Sequence, residues 1–128
     1  MLTNSPVTPA IPVTDIRKAI DFYKNTLGLK QSAMQMEKDG ALFDAGEGTK
    51  IYLYQRGQSK ADHTLASFNV DNIEEIVDEL FQKGVVFEQY DMPNGIKTDA
   101  KGIATMGDMK SAWFKDPDGN ILAILEVK

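Results

Sequence analysis

The chain repeats itself, and that repetition limits what it can fold into more than any other feature. "VTDIRKAIDFYKNTLG" in the first half and "VDNIEEIVDELFQKG" in the second share one layout: a polar pair, an amphipathic helix, a glycine. In the first, Ile16, Ala19, Ile20, Tyr23 and Leu27 recur at i, i+3, i+4, i+7 and i+11, one face of a helix with 3.6 residues per turn. Thr14 or Asp15 is placed to accept from the free N–H groups of the first turn, and Gly28 to close the helix in the left-handed conformation. In the second, Ile73, Ile76, Val77 and Leu80 form the apolar face, Asn72 precedes Glu75 at capping-box spacing, and Gly84 follows. Superposing the halves pairs Ile16 with Ile73, Ile20 with Val77 and Tyr23 with Leu80, which is the signature of a duplication.

Each helix is preceded by one strand-like run and followed by several. "PAIPV" leads into the first, where Pro12 restricts the run to an edge or terminal strand because proline cannot donate to a ladder. "KQSAMQME", "ALFDA" and "KIYLYQ" follow, with Asp39-Gly40 as a hairpin signal between the first two. "TLASFNV" leads into the second helix, after which "VVFEQYD", "GIATM", "KSAWF" and "ILAILEV" read as strands. Each half therefore reads as β-α-β-β-β, an α+β chain of two modules, about 7–56 and about 63–128, within one domain spanning 1–128.

The run "KDPDGN" has the oxygen-rich look of a calcium loop, but its spacing fails that test. Counted from Asp116, glycine falls at position 4 rather than 6, and position 12 is Val127 rather than a bidentate glutamate. Pro117 and Gly119 are instead the residues a β-turn requires, so the run is read as the hairpin turn joining "KSAWF" to "ILAILEV".

Composition removes whole classes of function. The chain has no cysteine, which excludes disulfides, thiolate nucleophiles and Cys-ligated zinc or iron–sulfur clusters. A formal net charge of −5 argues against a non-specific nucleic-acid binder. No apolar run approaches the roughly 20 residues that span a bilayer. The opening "MLTNSPVTPAIP" lacks a basic n-region and an apolar h-region, so a soluble cytoplasmic protein is expected. His63 is the only histidine, so a metal site or a Ser-His-Asp triad would have to use it; a half-exposed histidine at a strand entrance is the plainer reading.

A βαβββ unit repeated twice in a chain of this length resembles the vicinal oxygen chelate superfamily, which includes glyoxalase I, bleomycin-resistance proteins, extradiol dioxygenases and fosfomycin-resistance enzymes. "VTDIRKAIDFYKNTLGL" and "AWFKDPDGNILAI" carry the resemblance, and it extends over nearly the whole chain. It implies two cupped mixed sheets with helices on the convex side and a ligand on the concave side. It also implies a divalent metal held by His, Glu or Gln at four strand positions. Carried over residue by residue, those positions are Thr8, seven before Asp15; Tyr52 in "KIYLYQ"; Leu65, six before Asp71; and Ala123 in "DPDGNILA". Leucine and alanine have no donor atom, and the neighbours of both are no better. No metal and no other cofactor is therefore expected, and glyoxalase or dioxygenase chemistry is not expected either.

If the implied positions face inward, alternation along each strand supplies the rest of the cup. Tyr52 and Tyr54, then Leu65, Ser67 and Asn69, then Ile121, Ala123 and Leu125 point inward; Trp113 joins them with its parity unsettled. With Thr8, these make an apolar, aromatic lining of the kind small-molecule pockets use, although the same side chains would serve as a second core or a subunit interface. Met34, Met36, Met92, Met106 and Met109 read as an adaptable lining or as core filler. The stretch from Asp91 to Asp108 is expected to be irregular, either a lid over the cup or a solvated connection with no ligand role.

Three functions from different classes fit. The first is a metal-free binding protein, dimeric as the bleomycin-resistance branch is, that sequesters a small planar, aromatic, hydrophobic or cationic molecule between aromatic side chains. The second is a lyase, isomerase or dioxygenase-type enzyme with a non-standard site, either His63 with Asp44 or Glu88, or Tyr52 as an acid–base group. The third is a structural or regulatory partner whose cup is filled by its own side chains.

Overall fold

Alternation of buried and half-exposed residues along "KIYLYQ" sets the arrangement of the first sheet: Ile51 and Leu53 are buried, and Lys50, Tyr52 and Tyr54 lie on the other face. The computed structural model describes residues 1–33, 38–58, 60–93 and 95–127, which fall into two compact units, Met1–Lys60 and Ala61–Lys128. The first contains β1 (Ala10–Val13), α1 (Ile16–Asp21), β2 (Lys30–Gln31), β3 (Gly40–Asp44) and β4 (Lys50–Gln55). The second contains β5 (Thr64–Asn69), α2 (Ile73–Gln82), β6 (Ile103–Met106), β7 (Met109–Lys115) and β8 (Ile121–Val127).

Both sheets have four strands and one topology. Their orders are β1-β4-β3-β2 and β5-β8-β7-β6, so each unit lays its first strand parallel to its last and pairs the others antiparallel. The α+β class and the pair of mixed sheets expected from the sequence are the architecture of the chain.

In the first unit Ile11, Val13, Ala41, Phe43, Ile51 and Leu53 are buried, with Ala19 and Tyr23 of the helical segment. Tyr23 packs on Phe43 with ring centroids 6.2 Å apart. Each large apolar side chain removed from water this way contributes roughly 1.5–3 kcal/mol. Asp15 caps α1 as expected, its Oδ1 accepting from Arg17 N at 3.1 Å and Lys18 N at 3.2 Å. The sequence pattern does not reveal that the helix ends in a π-helical turn, Phe22–Thr26, with Leu27 N donating to Phe22 O at 3.0 Å.

In the second unit Ile73, Val77 and Leu80 of α2 are buried, as are Ala112, Phe114, Leu122 and Ile124 on one face of the sheet. Asn72 does not cap α2 with its side chain. Its amide donates to the Glu75 carboxylate at 2.6 Å, while Ile73 N is satisfied by Glu126 Oε1 at 3.0 Å.

Two expectations about strands need correction. "VVFEQYD" meets the second sheet at an isolated bridge, Phe87 with Phe114, while β6 pairs with Met109–Ala112 of β7. For "KQSAMQME", β2 covers Lys30–Gln31, while Met34 to Glu37 lie outside the described residues. The turn reading of "KDPDGN" holds. Asp116 Oδ1 accepts from Asp118 N and Asn120 N, each at 2.9 Å, and its Oδ2 accepts from Asn120 Nδ2 at 2.9 Å. Gly119 supplies the positive φ of 83° that this turn needs.

Candidate functional site

In the first unit the face of the sheet away from α1 carries an aromatic pair. Tyr52 and Tyr54 are half-buried, and their rings stack with centroids 6.1 Å apart and planes 14° apart. Across the strands Tyr52 is flanked by Ala10 and Leu42, and Tyr54 by Pro12 and Gly40. Gly40 has no side chain to cover the ring beside it. At the other end of this face the Asp44 carboxylate holds the Lys50 ammonium.

In the second unit the register settles the parity of Trp113. It pairs with Ala123, which pairs on its other side with Ser67, so the three lie in one row across β7, β8 and β5. This row is on the face opposite Phe114, Leu122 and Ile124. Ala123 is buried, Trp113 half-buried and Ser67 exposed. Asn69 and Leu125 form the next row and Thr64 and Ile121 the previous one. Strict alternation fails at Leu65. The register shifts between Thr64 and Ala66, so Thr64 rather than Leu65 pairs with Ile121. Thr8 departs further: it is exposed and precedes β1, so it is not a strand position.

Other expected residues disperse. His63 is exposed before β5, its Nδ1 3.3 Å from Thr64 O. Glu88 lies 3.7 Å from the Lys115 ammonium, and Asp44 is held by Lys50. Among the described residues no three His, Asp or Glu side chains gather in a group that could hold a metal ion. Met92 and Met109 are exposed, so neither is core filler.

Described residues of the stretch from Asp91 to Asp108 form short bridges. Asp91 bridges Lys97, Met92 N donates to Ile96 O at 2.8 Å, and Thr98 bridges Ala104. Asp99 Oδ1 then accepts from Lys101 N at 2.9 Å and Ile103 N at 3.0 Å, which turns the chain into β6.

Sequence reasoning missed Tyr90. Its ring meets Trp113 edge-to-face, with centroids 5.4 Å apart and planes at 66°. Thr98 fixes the backbone there: Tyr90 N donates to Thr98 Oγ1 at 2.9 Å, and Thr98 N to Tyr90 O at 2.9 Å. Glu88 N donates to Trp113 O at 2.8 Å, which holds this segment beside β7. Burial, and secondarily the Glu88 carboxylate, push the Tyr90 phenol above the ordinary tyrosine range. Val85 and Phe87 of this segment are buried, and Phe87 bridges Phe114, which leaves Glu88 beside Trp113.

Known proteins match this architecture along its length. Residues 6–124 fit the family model of the Glyoxalase/Bleomycin resistance protein/Dioxygenase superfamily. The chain is 33% identical over 129 residues to the uncharacterized protein YraH of Bacillus subtilis (strain 168), covering 90% of this chain and 92% of that one. Two solved structures share the fold at low identity. TnmS3, an antibiotic binding protein from Streptomyces sp. CB03234, superposes with a TM-score of 0.67 at 22% identity, covering 100% of this chain and 99% of its own. A glyoxalase/dioxygenase from Nostoc punctiforme gives 0.70 at 16% identity, covering 98% and 92%. With its duplicated units and a family match across nearly all of its length, the chain belongs to the Glyoxalase/Bleomycin resistance protein/Dioxygenase superfamily.

Proposed function

We propose that this protein binds a small aromatic or hydrophobic molecule and does so without a metal. The observation that carries the reading is the stacked, half-buried pair Tyr52 and Tyr54 on the sheet face away from α1. Aromatic rings held parallel on a strand are a ready surface for a planar ligand, each stacking contact contributing about 0.5–1.5 kcal/mol beyond area burial. Trp113, with Ala123 and Ser67 beside it, offers a second such surface on the other sheet. The antibiotic-binding description of TnmS3, which shares the fold, agrees with this reading.

The residues at the family's metal positions do not fit a divalent ion. Leu65 and Ala123 carry no donor, Thr8 stands off the strand, and Tyr52 is left as a phenol stacked on Tyr54. The enzyme reading is weaker because Asp44 and Glu88, the carboxylates it would pair with His63, are each beside a lysine. The proposal includes a homodimer, which light scattering on the purified protein tests, and a cytoplasmic location, which cell fractionation tests.

The test of binding is calorimetric titration of neutral planar aromatics, followed in parallel by melting temperature. A ligand that raises the melting temperature, and binds roughly fivefold or more weakly to Tyr52→Ala or Tyr54→Ala, supports the reading. A panel in which no planar aromatic binds the wild type overturns it.

A further inference from the structure

Four polar residues are buried among the described residues: Ser111, Asp116, Asn120 and Glu126. Three of them have internal work for their side chains. Asp116 and Asn120 bond each other in the turn before β8, and Glu126 holds the first N–H of α2. Ser111 differs. It is 5% exposed, yet its hydroxyl makes no hydrogen bond to a described residue. No side-chain oxygen or nitrogen among the described residues is both sealed from solvent and without a partner, so the Ser111 Oγ lies within the small part of that residue still open to the surface. A hydroxyl can donate one hydrogen bond and accept others, and a nearly buried one that uses none of them inside the fold requires an explanation.

The register gives that hydroxyl its surroundings. Ser111 stands two residues before Trp113 on β7, so both lie on the face opposite Phe114, one strand step of roughly 7 Å apart. Its cross-strand neighbours are Ala104 on β6 and Leu125 on β8, and the adjacent row holds Trp113 and Ala123. Both alanines are buried and Leu125 is half-buried. The hydroxyl is therefore a polar point on an apolar floor beside the indole.

We propose that Ser111 is a specificity-determining residue of the Trp113 face, selecting among uncharged planar ligands those that bring a hydrogen-bonding oxygen to its hydroxyl. The inference rests on the binding reading above and adds the polar feature the ligand must carry. A ligand oxygen exchanges its bond to water for one to Ser111, a trade that gains modestly. A ligand that presents a methyl group there instead seals the hydroxyl without a partner, and that penalty does most of the discriminating.

The experiment titrates 2-naphthol and its near-isostere 2-methylnaphthalene, both uncharged at neutral pH, into wild type and Ser111→Ala by calorimetry. Wild type is expected to bind 2-naphthol roughly fivefold tighter than 2-methylnaphthalene. Ser111→Ala should bring the two probes to equal affinity, weakening the first and tightening the second. Melting temperature separates this role from a structural one. A serine bonded within the fold lowers it on truncation, whereas Ser111→Ala should melt at or above the wild-type temperature because no internal bond is lost. A lowered melting temperature, or a preference for 2-naphthol that survives Ser111→Ala, overturns the inference. Equal binding of the two probes to wild type also overturns it and leaves the binding reading standing. Binding of neither probe overturns both.

Discussion

The Glu126 carboxylate on β8 accepts a hydrogen bond at 3.0 Å from the backbone N–H of Ile73, the first residue of α2, across 53 residues of chain. Gln55 on β4 does the same for Ile16 at the head of α1, at 2.9 Å across 39 residues. In each unit the last strand of the module caps the helix that opens it, so the duplication extends to the hydrogen bonds that fix the helix starts. The second copy uses a carboxylate, whose charge also complements the positive end of the helix.

The two caps should differ in strength. The Glu126 bond is buried, so Glu126→Ala leaves an N–H without a partner and should cost about 2–3 kcal/mol in urea unfolding. Glu126→Gln retains the acceptor and should cost under about 1 kcal/mol, the share owed to charge. The Gln55 bond is exposed, water can replace it, and Gln55→Ala should cost no more than about 1 kcal/mol. A smaller loss for Glu126→Ala than for Gln55→Ala would show that the buried bond does not set the start of α2.

Gly102 and Gly119 both adopt positive φ, 92° and 83°, yet they should respond differently to a methyl group. At Gly119 an added Cβ meets nothing within 4 Å, so Gly119→Ala carries only the backbone cost, about 1–2 kcal/mol. At Gly102 the Cβ would lie 2.8 Å from Phe87 Cβ, in the buried contact of the turn with the core. Gly102→Ala must add a steric displacement to the backbone cost, and should exceed 3 kcal/mol or so. Chemical denaturation of the two variants side by side checks the order.

These features show what the sequence disclosed and what it could not. The apolar faces of both helices, the Asp15 cap and the Asp116 turn are local, set by residues within a few positions of one another, and they were legible. Glu126 as the cap of α2 was not, because its partner is remote in sequence and Asn72, adjacent and of the right type, offered a nearer answer. Leu65 falls at a register shift, which period-two reasoning has no means to detect. Tyr90 escaped because "VVFEQYD" was read as a strand of the sheet; only its bridge to β7 reveals that the segment delivers a ring to Trp113.

Tyr90 gives the chain a measurable alkaline sensitivity. Burial first, and Glu88 second, raise its phenol above the ordinary value near 10, so the folded state holds this proton more tightly than the unfolded chain. The resulting stability is fully present below the unfolded value and is lost as pH rises through the folded one. Urea unfolding between about pH 9 and pH 12 should show a decline that Tyr90→Phe makes shallower. Glu88→Gln should lower the Tyr90 value only part of the way, because burial is the larger cause. A decline identical in wild type and Tyr90→Phe would assign it to other groups.

If residues such as Leu65 and Ala123 are what stands at the ligand positions, divalent ions should find nothing to bind in either unit. A site with a Kd near 1 μM, offered a metal at about 1 mM, would stabilise the fold by about 4 kcal/mol. For a domain of this size that corresponds to a shift in Tm of roughly 10–20 °C. The expected shift for magnesium, manganese, iron(II), nickel and zinc, each measured against a chelator control, is under about 2 °C, the level of weak association with surface carboxylates. A full shift with one of these metals would mean that donors other than Thr8, Tyr52, Leu65 and Ala123 build the centre. His63→Ala would then be the variant to make, because a shift it abolishes would move the enzyme reading ahead of the binding one.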